Sequence, residues 1–313
     1  MSVYAYFGPP GTFTEMALDK FLSASPLPNA SSGELEKLAA PSPTATIEMV
    51  RSGAADYGCV PIESSVEGAV PATADALVPP GPSADGRVQV FAEVILDVAF
   101  TIAARAEISA DAVRTVAAYP VAAAQVRESV EKLYPGAQFV TALSNSGAAQ
   151  DVSEGHADVA VTTPLAAGLS GLVTLVDGVA DAADAATRFL LVGRPAPPLP
   201  PTGRDRTSVI LDLPNVPGSL MAAMNEFASR GIDLTRIESR PRKDMRGSYH
   251  FYLDAVGHLE DDAVGEALRA LHRSSDRVVF LGSWKADRNG GAQPPNHAAS
   301  VSWYESLRRG GDA

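Results

Sequence analysis

The chain has one cysteine, Cys59, so no internal disulfide can form. That suits a reducing compartment, and a cytoplasmic location is expected. Cys59 lies in the apolar run Tyr57-Gly58-Cys59-Val60, which favours a buried thiol over a nucleophile. Histidine is scarce too. His156, His250, His258, His272 and His297 show no metal-ligand spacing, and neither CxxC nor HExxH occurs. No metal or other cofactor is expected. Basic residues are outnumbered, 25 Lys and Arg against 37 Asp and Glu, for a net charge of −12. That balance argues against a nucleic-acid partner, which needs a clustered excess of cations. No apolar run is long enough to span a bilayer, and no membrane partner is expected. The start, MSVYAYFG, enters a strand directly, without the basic segment and cleavage site of a signal peptide.

What is present is a globular composition, 46% hydrophobic and 20% charged over 313 residues, enough for two domains with their own cores. In the first two-thirds, short apolar strands alternate with helical patterns. Residues 3–7 read as a strand, followed by the turn Gly8-Pro9-Pro10-Gly11. Thr12 and Glu15 then have capping-box spacing and open a helix to about residue 22. Pro43-Thr44 precedes a helical pattern through Arg51. Residues 56–60 read as a strand, after which Ser64 and Glu67 repeat the capping-box spacing. Strands over 114–118, 138–142 and 157–161 are followed by Pro120, by Ser144-Asn145-Ser146 and by Thr162-Thr163-Pro164, each suited to a helix start. Residues 26–43 look irregular and receive no function.

Such alternation predicts parallel sheets covered by helices, with ligands bound where strand ends meet helix starts. Here those ends carry Ser, Thr or Asn and rarely acids, which suits a ligand with carboxylates. A long β-rich run over 88–103 is expected to cross from one lobe to another, and a second crossing is expected within 172–186. Two lobes with two crossings make a clamshell. The strand at residues 186–193, ATRFLLVG, closes this part and places Thr187 on the cleft floor.

RPAPPLPPTG, residues 194–203, is a semi-rigid proline-rich tether. The order βαββαβ follows over 204–284 and predicts a four-stranded antiparallel sheet with two helices on one face. Its uncovered edge or face is expected to pair with a second copy. After Trp284 the tail, 285–313, looks flexible, with Trp303, Tyr304 and Leu307 docking a last short helix. The expected division is therefore 1–193, 194–203, 204–284 and 285–313.

Four motifs stand in order: GPPGTFTE at 8–15, VPIESSVEG at 60–68, YPVAAAQ at 119–125 and TRF at 187–189. With Pro217-Gly218-Ser219-Leu220 and the ESRP run Glu238-Ser239-Arg240-Pro241 they resemble prephenate dehydratase fused to an ACT domain. The implied fold class is α/β, a two-lobed catalytic domain like the periplasmic binding proteins, plus an α+β ACT domain. The implied reaction turns prephenate into phenylpyruvate, water and carbon dioxide, without a cofactor. The resemblance implies that Thr187 assists the departing hydroxyl. Thr12, Ser64, Ser65, Ser144, Asn145 and Arg188 are the expected substrate contacts. Ser64 stands where the family usually has asparagine, and Tyr119 where many members have histidine. Phe189 is expected to be core. For the ACT domain the resemblance implies L-phenylalanine as allosteric effector, held by Asn215, Pro217, Gly218, Ser219, Leu220, Glu238, Ser239, Arg240 and Pro241. A homo-oligomer through ACT domains, dimer or tetramer, is implied. Two other readings stay open: an arogenate or cyclohexadienyl dehydratase, and a non-catalytic ligand-binding sensor.

Overall fold

The computed structural model describes residues 2–24, 34–81, 86–182, 184–288 and 290–311. The expectation for 26–33 lies outside them. The first elements are β1 (Ser2–Phe7), α1 (Phe13–Ala24), β2 (Leu35–Ala40), α2 (Pro43–Ser52), β3 (Tyr57–Ser64), β4 (Gly68–Ala69) and α3 (Pro71–Leu77). Next come β5 (Gln89–Asp97), β6 (Phe100–Ala104), β7 (Thr115–Ala118), α4 (Pro120–Gln125), α5 (Arg127–Leu133), β8 (Gln138–Thr141) and α6 (Asn145–Ser153). β9 (Val159–Thr162), α7 (Pro164–Leu169), β10 (Val173–Val179) and β11 (Ala186–Gly193) follow. The remainder is β12 (Asp205–Asp212), α8 (Ser219–Ala228), β13 (Leu234–Pro241), β14 (Tyr249–Val256), α9 (Asp262–Ser274), β15 (Arg277–Lys285) and α10 (Ala298–Arg308).

Two compact units divide the chain. One is Met1–Ala76 with Val94–Leu191; the other is Leu77–Glu93 with Val192–Ala313. Strands β5 and β11 run through the division.

The first unit has two lobes. One is built on a six-stranded sheet in the order β2-β1-β3-β11-β5, with β4 beside β3. β1 runs parallel to β2 and β3, and α1 and α2 pack on it. Tyr4, Tyr6, Leu18, Phe21, Ile47, Val50 and Cys59 fill this core. The other lobe has the order β10-β6-β9-β7-β8. Its core joins Phe100, Ile102, Val116, Val159 and Val161 to Ala122, Val126 and Val130 of α4, α5 and their junction.

Several expectations need correction. The sheets are mixed: β7 is parallel to β8 and β9, but β6 is antiparallel to β9 and β10. The antiparallel pairs involve β6, the first strand after the chain enters the second lobe, and, in the other sheet, the β3–β4 turn. Residues 35–40, read as irregular, form β2. It is an edge strand in which Leu35, Glu36 and Ala39 are exposed and Lys37 and Leu38 half-buried, and Glu36 and Lys37 interrupt its apolar residues. The 88–103 run is two strands, one in each sheet, broken at Val98 and Ala99. Ser64 starts no helix. β3 continues through it and turns back into β4, with Gly68 at φ +80°; the Ser64 hydroxyl accepts from the Val66 and Glu67 amides at 3.3 and 3.4 Å.

The second unit contains the four-stranded antiparallel sheet, order β13-β14-β12-β15. Val209, Leu211, Leu253 and Ala255 face Ala223 and Phe227 of α8 and Val264, Ala267 and Leu271 of α9. Gly218, at φ +86°, starts α8 in a left-handed conformation that other residues adopt at a cost. The tail is not loose throughout. The Ala292 amide donates to Asp233 Oδ2 at 3.0 Å. α10 forms, yet Trp303, Tyr304 and Leu307 stay 51, 58 and 44% exposed and do not dock.

Candidate active site

A cavity of about 690 Å³ lies between the two lobes of the first unit. One lobe contributes Phe7, Gly8, Pro9, Thr12, Phe13 and Thr14, the β2 end Ala39-Ala40-Pro41, Pro61, Thr187 and Phe189; the other contributes Tyr119, Leu143, Ser144 and Asn145. These are strand ends and helix starts. None is charged, so an anion here meets hydroxyls, an amide and the helix starts.

Thr187 and Phe189, two residues apart on β11, share the lining face, and the intervening Arg188 is buried on the other. No described residue hydrogen-bonds to the Thr187 hydroxyl, which leaves it available to a ligand. The start of β11 is fixed by Ser65. Its hydroxyl accepts from the Ala186 amide at 2.9 Å and donates to the Asp184 carbonyl at 3.3 Å. Its backbone amide donates to the Ala186 carbonyl at 2.8 Å. Ser65 thus holds the backbone beside Thr187 rather than lining the cavity.

Thr12 is the N-cap of α1, a role it fills loosely: its Oγ1 is 3.5 Å from the Glu15 amide. Glu15 reaches back past it to the Gly11 amide at 2.7 Å. The Thr12 hydroxyl therefore keeps most of its capacity for a ligand. Ser144 caps α6 more firmly, accepting from the Gly147 amide at 2.9 Å and sharing a hydrogen with Ser146 Oγ at 3.1 Å. Asn145 lines the cavity from the first turn of α6, and its Oδ1 is buried without a hydrogen-bond partner. The turn of the first lobe is tied to the second. Thr163 Oγ1 donates to the Gly11 carbonyl at 2.6 Å and accepts from the Ala166 amide at 3.0 Å.

The structure therefore brings Thr12, Ser144, Asn145 and Thr187 together. Ser64, Ser65 and Arg188, expected as substrate contacts, are not among the lining residues. The Ser65 hydroxyl is engaged by the β11 backbone, the Ser64 hydroxyl accepts from two turn amides, and β-strand alternation turns Arg188 away from Thr187. Phe189, expected as core, is both buried and a wall of the cavity. Residues 39–41 and Leu143 were not anticipated. The signal for the former was the Ala-Ala-Pro run before the α2 start, which marks a strand end.

In the second unit, residues 215–220 form the turn and first residues of α8, with the Ala222 amide donating to the Gly218 carbonyl at 2.9 Å. Glu238 to Pro241 lie on β13, an outer strand of the sheet. Glu238 is paired with Arg236, and Arg240 lies 3.9 Å from it. Ile237 on the same strand is 57% exposed.

A two-lobed α/β fold with an uncharged, hydroxyl-lined interlobe cavity, followed by a βαββαβ module, defines a small-molecule-binding α/β protein with an appended α+β module. The family models agree: residues 4–197 match prephenate dehydratase and 207–273 match the ACT domain. The chain belongs to the prephenate dehydratase family. It is 52% identical over 308 residues, 98% of its length and 96% of the relative, to a prephenate dehydratase of Mycobacterium sp. strain KMS. It is 49% identical over 306 residues to one of Mycobacterium tuberculosis strain H37Ra, covering 98% and 94%. Among solved structures, the prephenate dehydratase of Arthrobacter aurescens in complex with L-Phe superposes with TM-score 0.84 at 35% identity, covering 98% of this chain and 99% of that one. No described helix is long and apolar enough to cross a membrane.

Proposed function

We propose that this chain converts prephenate to phenylpyruvate, water and carbon dioxide in phenylalanine biosynthesis, with Thr187 as the catalytic residue. The observation that carries this is a threonine hydroxyl free of described partners on the floor of an uncharged interlobe cavity.

Prephenate brings its own driving force, because loss of the ring hydroxyl with the ring carboxylate makes the ring aromatic. The C–O and C–C bonds break, the carboxylate's electron pair enters the ring, and the hydroxyl leaves as water once it gains a proton. Thr187 donates a hydrogen bond to that departing oxygen. A threonine hydroxyl is a weak acid, so orientation and fixed dipoles supply much of the rate. Thr12, Ser144, Asn145 and the N-termini of α1 and α6 hold the carboxylates. Phe7, Phe13 and Phe189 shelter the ring and exclude water, which strengthens each hydrogen bond. Ser65 positions Thr187 through the β11 backbone.

The absence of any acidic residue from the lining supports prephenate over arogenate, whose side-chain ammonium would find no counter-charge there.

Residues 1–193 carry the catalysis, 194–203 tether, 204–284 sense and 285–313 form the tail. L-Phenylalanine is the effector. Its carboxylate meets the amides around Gly218 and Ser219 at the start of α8, among Asn215, Pro217 and Leu220. Its ammonium is met by Glu238 of the run with Ser239, Arg240 and Pro241. The open edge of β13, with Ile237 exposed, pairs two copies into a homodimer or a higher homo-oligomer. The enzyme works in the cytoplasm.

Purified protein given prephenate or arogenate, each with and without L-phenylalanine, tests this by ultraviolet detection of phenylpyruvate. Turnover of prephenate that L-phenylalanine suppresses is expected. No phenylpyruvate from prephenate would end the proposal.

A further inference from the structure

A second cavity, of about 440 Å³, lies within the second unit at the joint between α9 and β15. Its charged and polar lining is Arg87, His272, Ser275, Asp276 and Arg277, set against the ring of Phe280. It shares no residue with the positions proposed for phenylalanine.

Arg87 is the informative group. It is half-buried; its guanidinium donates to the Phe280 carbonyl at 2.5 Å and to Gln89 Oε1 at 3.4 Å. Its carbon lies 5.8 Å from the centre of the Phe280 ring. These partners are all neutral, and no described carboxylate pairs with it. Burial accordingly pushes its pKa down, with no opposing charge to restore it. Removing a cation from water without a counter-ion is costly. Beside it, Ser275 Oγ is buried without a hydrogen-bond partner. A half-buried cation without a counter-ion and a buried hydroxyl without a partner on one cavity are both answered by a carboxylate. Asp276 adds one exposed negative charge to the same wall. It offers an ammonium group a counter-charge next to the carboxylate position, while Arg87 and Arg277 keep the lining net positive. Phe280 supplies an apolar surface.

We propose that this cavity is a second effector site for a small, apolar L-α-amino acid. The carboxylate sits on Arg87 and Ser275, the ammonium on Asp276, and the side chain against Phe280. The proposal stands apart from the catalytic reading, since it needs no turnover to be observed.

The test is calorimetric titration of the full chain with L-leucine, 4-methylpentanoate, which lacks the ammonium, and isopentylamine, which lacks the carboxylate. Saturable binding of L-leucine is expected, at least about tenfold tighter than either analogue. It should weaken at least about tenfold in Arg87→Met and in Asp276→Asn. Asp276 is exposed, so its variant tests the site without disturbing packing. Gly218→Val, which disrupts the proposed phenylalanine position, should leave L-leucine binding unchanged. No binding to the parent chain, equal binding of the analogues, binding undiminished in Asp276→Asn, or loss of binding in Gly218→Val would each overturn the proposal.

Discussion

Replacing Thr163 by valine should loosen the cavity without touching any lining residue. Thr163 is fully buried, and its hydroxyl has two jobs. It caps α7 by accepting from the Ala166 amide, and it donates to the Gly11 carbonyl 152 positions away in the other lobe. Valine keeps the shape and removes both bonds. Losing a helix cap costs about 1 kcal/mol. Leaving a buried carbonyl without its donor costs about 1–3 kcal/mol more. The sum, about 2–4 kcal/mol, corresponds to a fall in melting temperature of roughly 5–15 °C for a unit of this size. Thermal unfolding by calorimetry measures it. The same change frees the Gly8–Gly11 turn, which carries Thr12 into the cavity, so KM for prephenate should rise as well. Thr163→Ser, which keeps the hydroxyl, should recover most of both. A Thr163→Val variant melting within about 1 °C of the parent, with unchanged KM, would refute this reasoning.

Three further outcomes are expected. Gly11→Ala should destabilise by about 1–3 kcal/mol, because Gly11 has φ +86° and an added Cβ would lie 2.8 Å from that of Ala166; chemical denaturation reads it. The turnover number should be nearly flat between about pH 6 and pH 8, because no carboxylate or imidazole lines the cavity; a bell-shaped profile in that range would point to a missing acid or base. Asp158 accepts from the Arg114 and Thr115 amides and from the Thr115 hydroxyl, each at 2.9 Å, and these bonds, that of Arg114 foremost, hold its pKa below the usual value. Its folded pKa being the lower one, its stabilisation is complete above about pH 4 and fades as pH falls through the folded value. Asp158→Asn should therefore be less stable than the parent at pH 7, with the gap narrowing below pH 4 in urea titrations.

Much of this was legible from the chain because the signals were local. The caps at Ser144 and Thr163 and the glycine at 218 mark helix ends by chemistry that acts within a few residues. The βαββαβ order was readable because its strands alternate and its helices have one apolar face. Direction was not readable: an apolar strand such as β6 looks the same parallel or antiparallel. β2 escaped because an edge strand needs no apolar run. At the site, residue type could nominate Ser64 and Ser65 but not reveal whose hydrogen bonds they would make. Both hydroxyls bond to nearby backbone, which the sequence does not record. The cavity wall at residues 39–41 has no polar chemistry to announce it, and Leu143, 95% exposed at the rim, carries no motif.

The central claim is that the hydroxyl at position 187 helps the ring oxygen of prephenate to leave. Its most direct test is the turnover of Thr187→Val beside Thr187→Ser, followed as phenylpyruvate formation, with melting temperature recorded for both. A fall of about 10²- to 10⁴-fold is expected for valine, the usual worth of proton donation in a transition state, with unchanged melting and substantial activity for serine. Valine turning over within about threefold of the parent chain would contradict it.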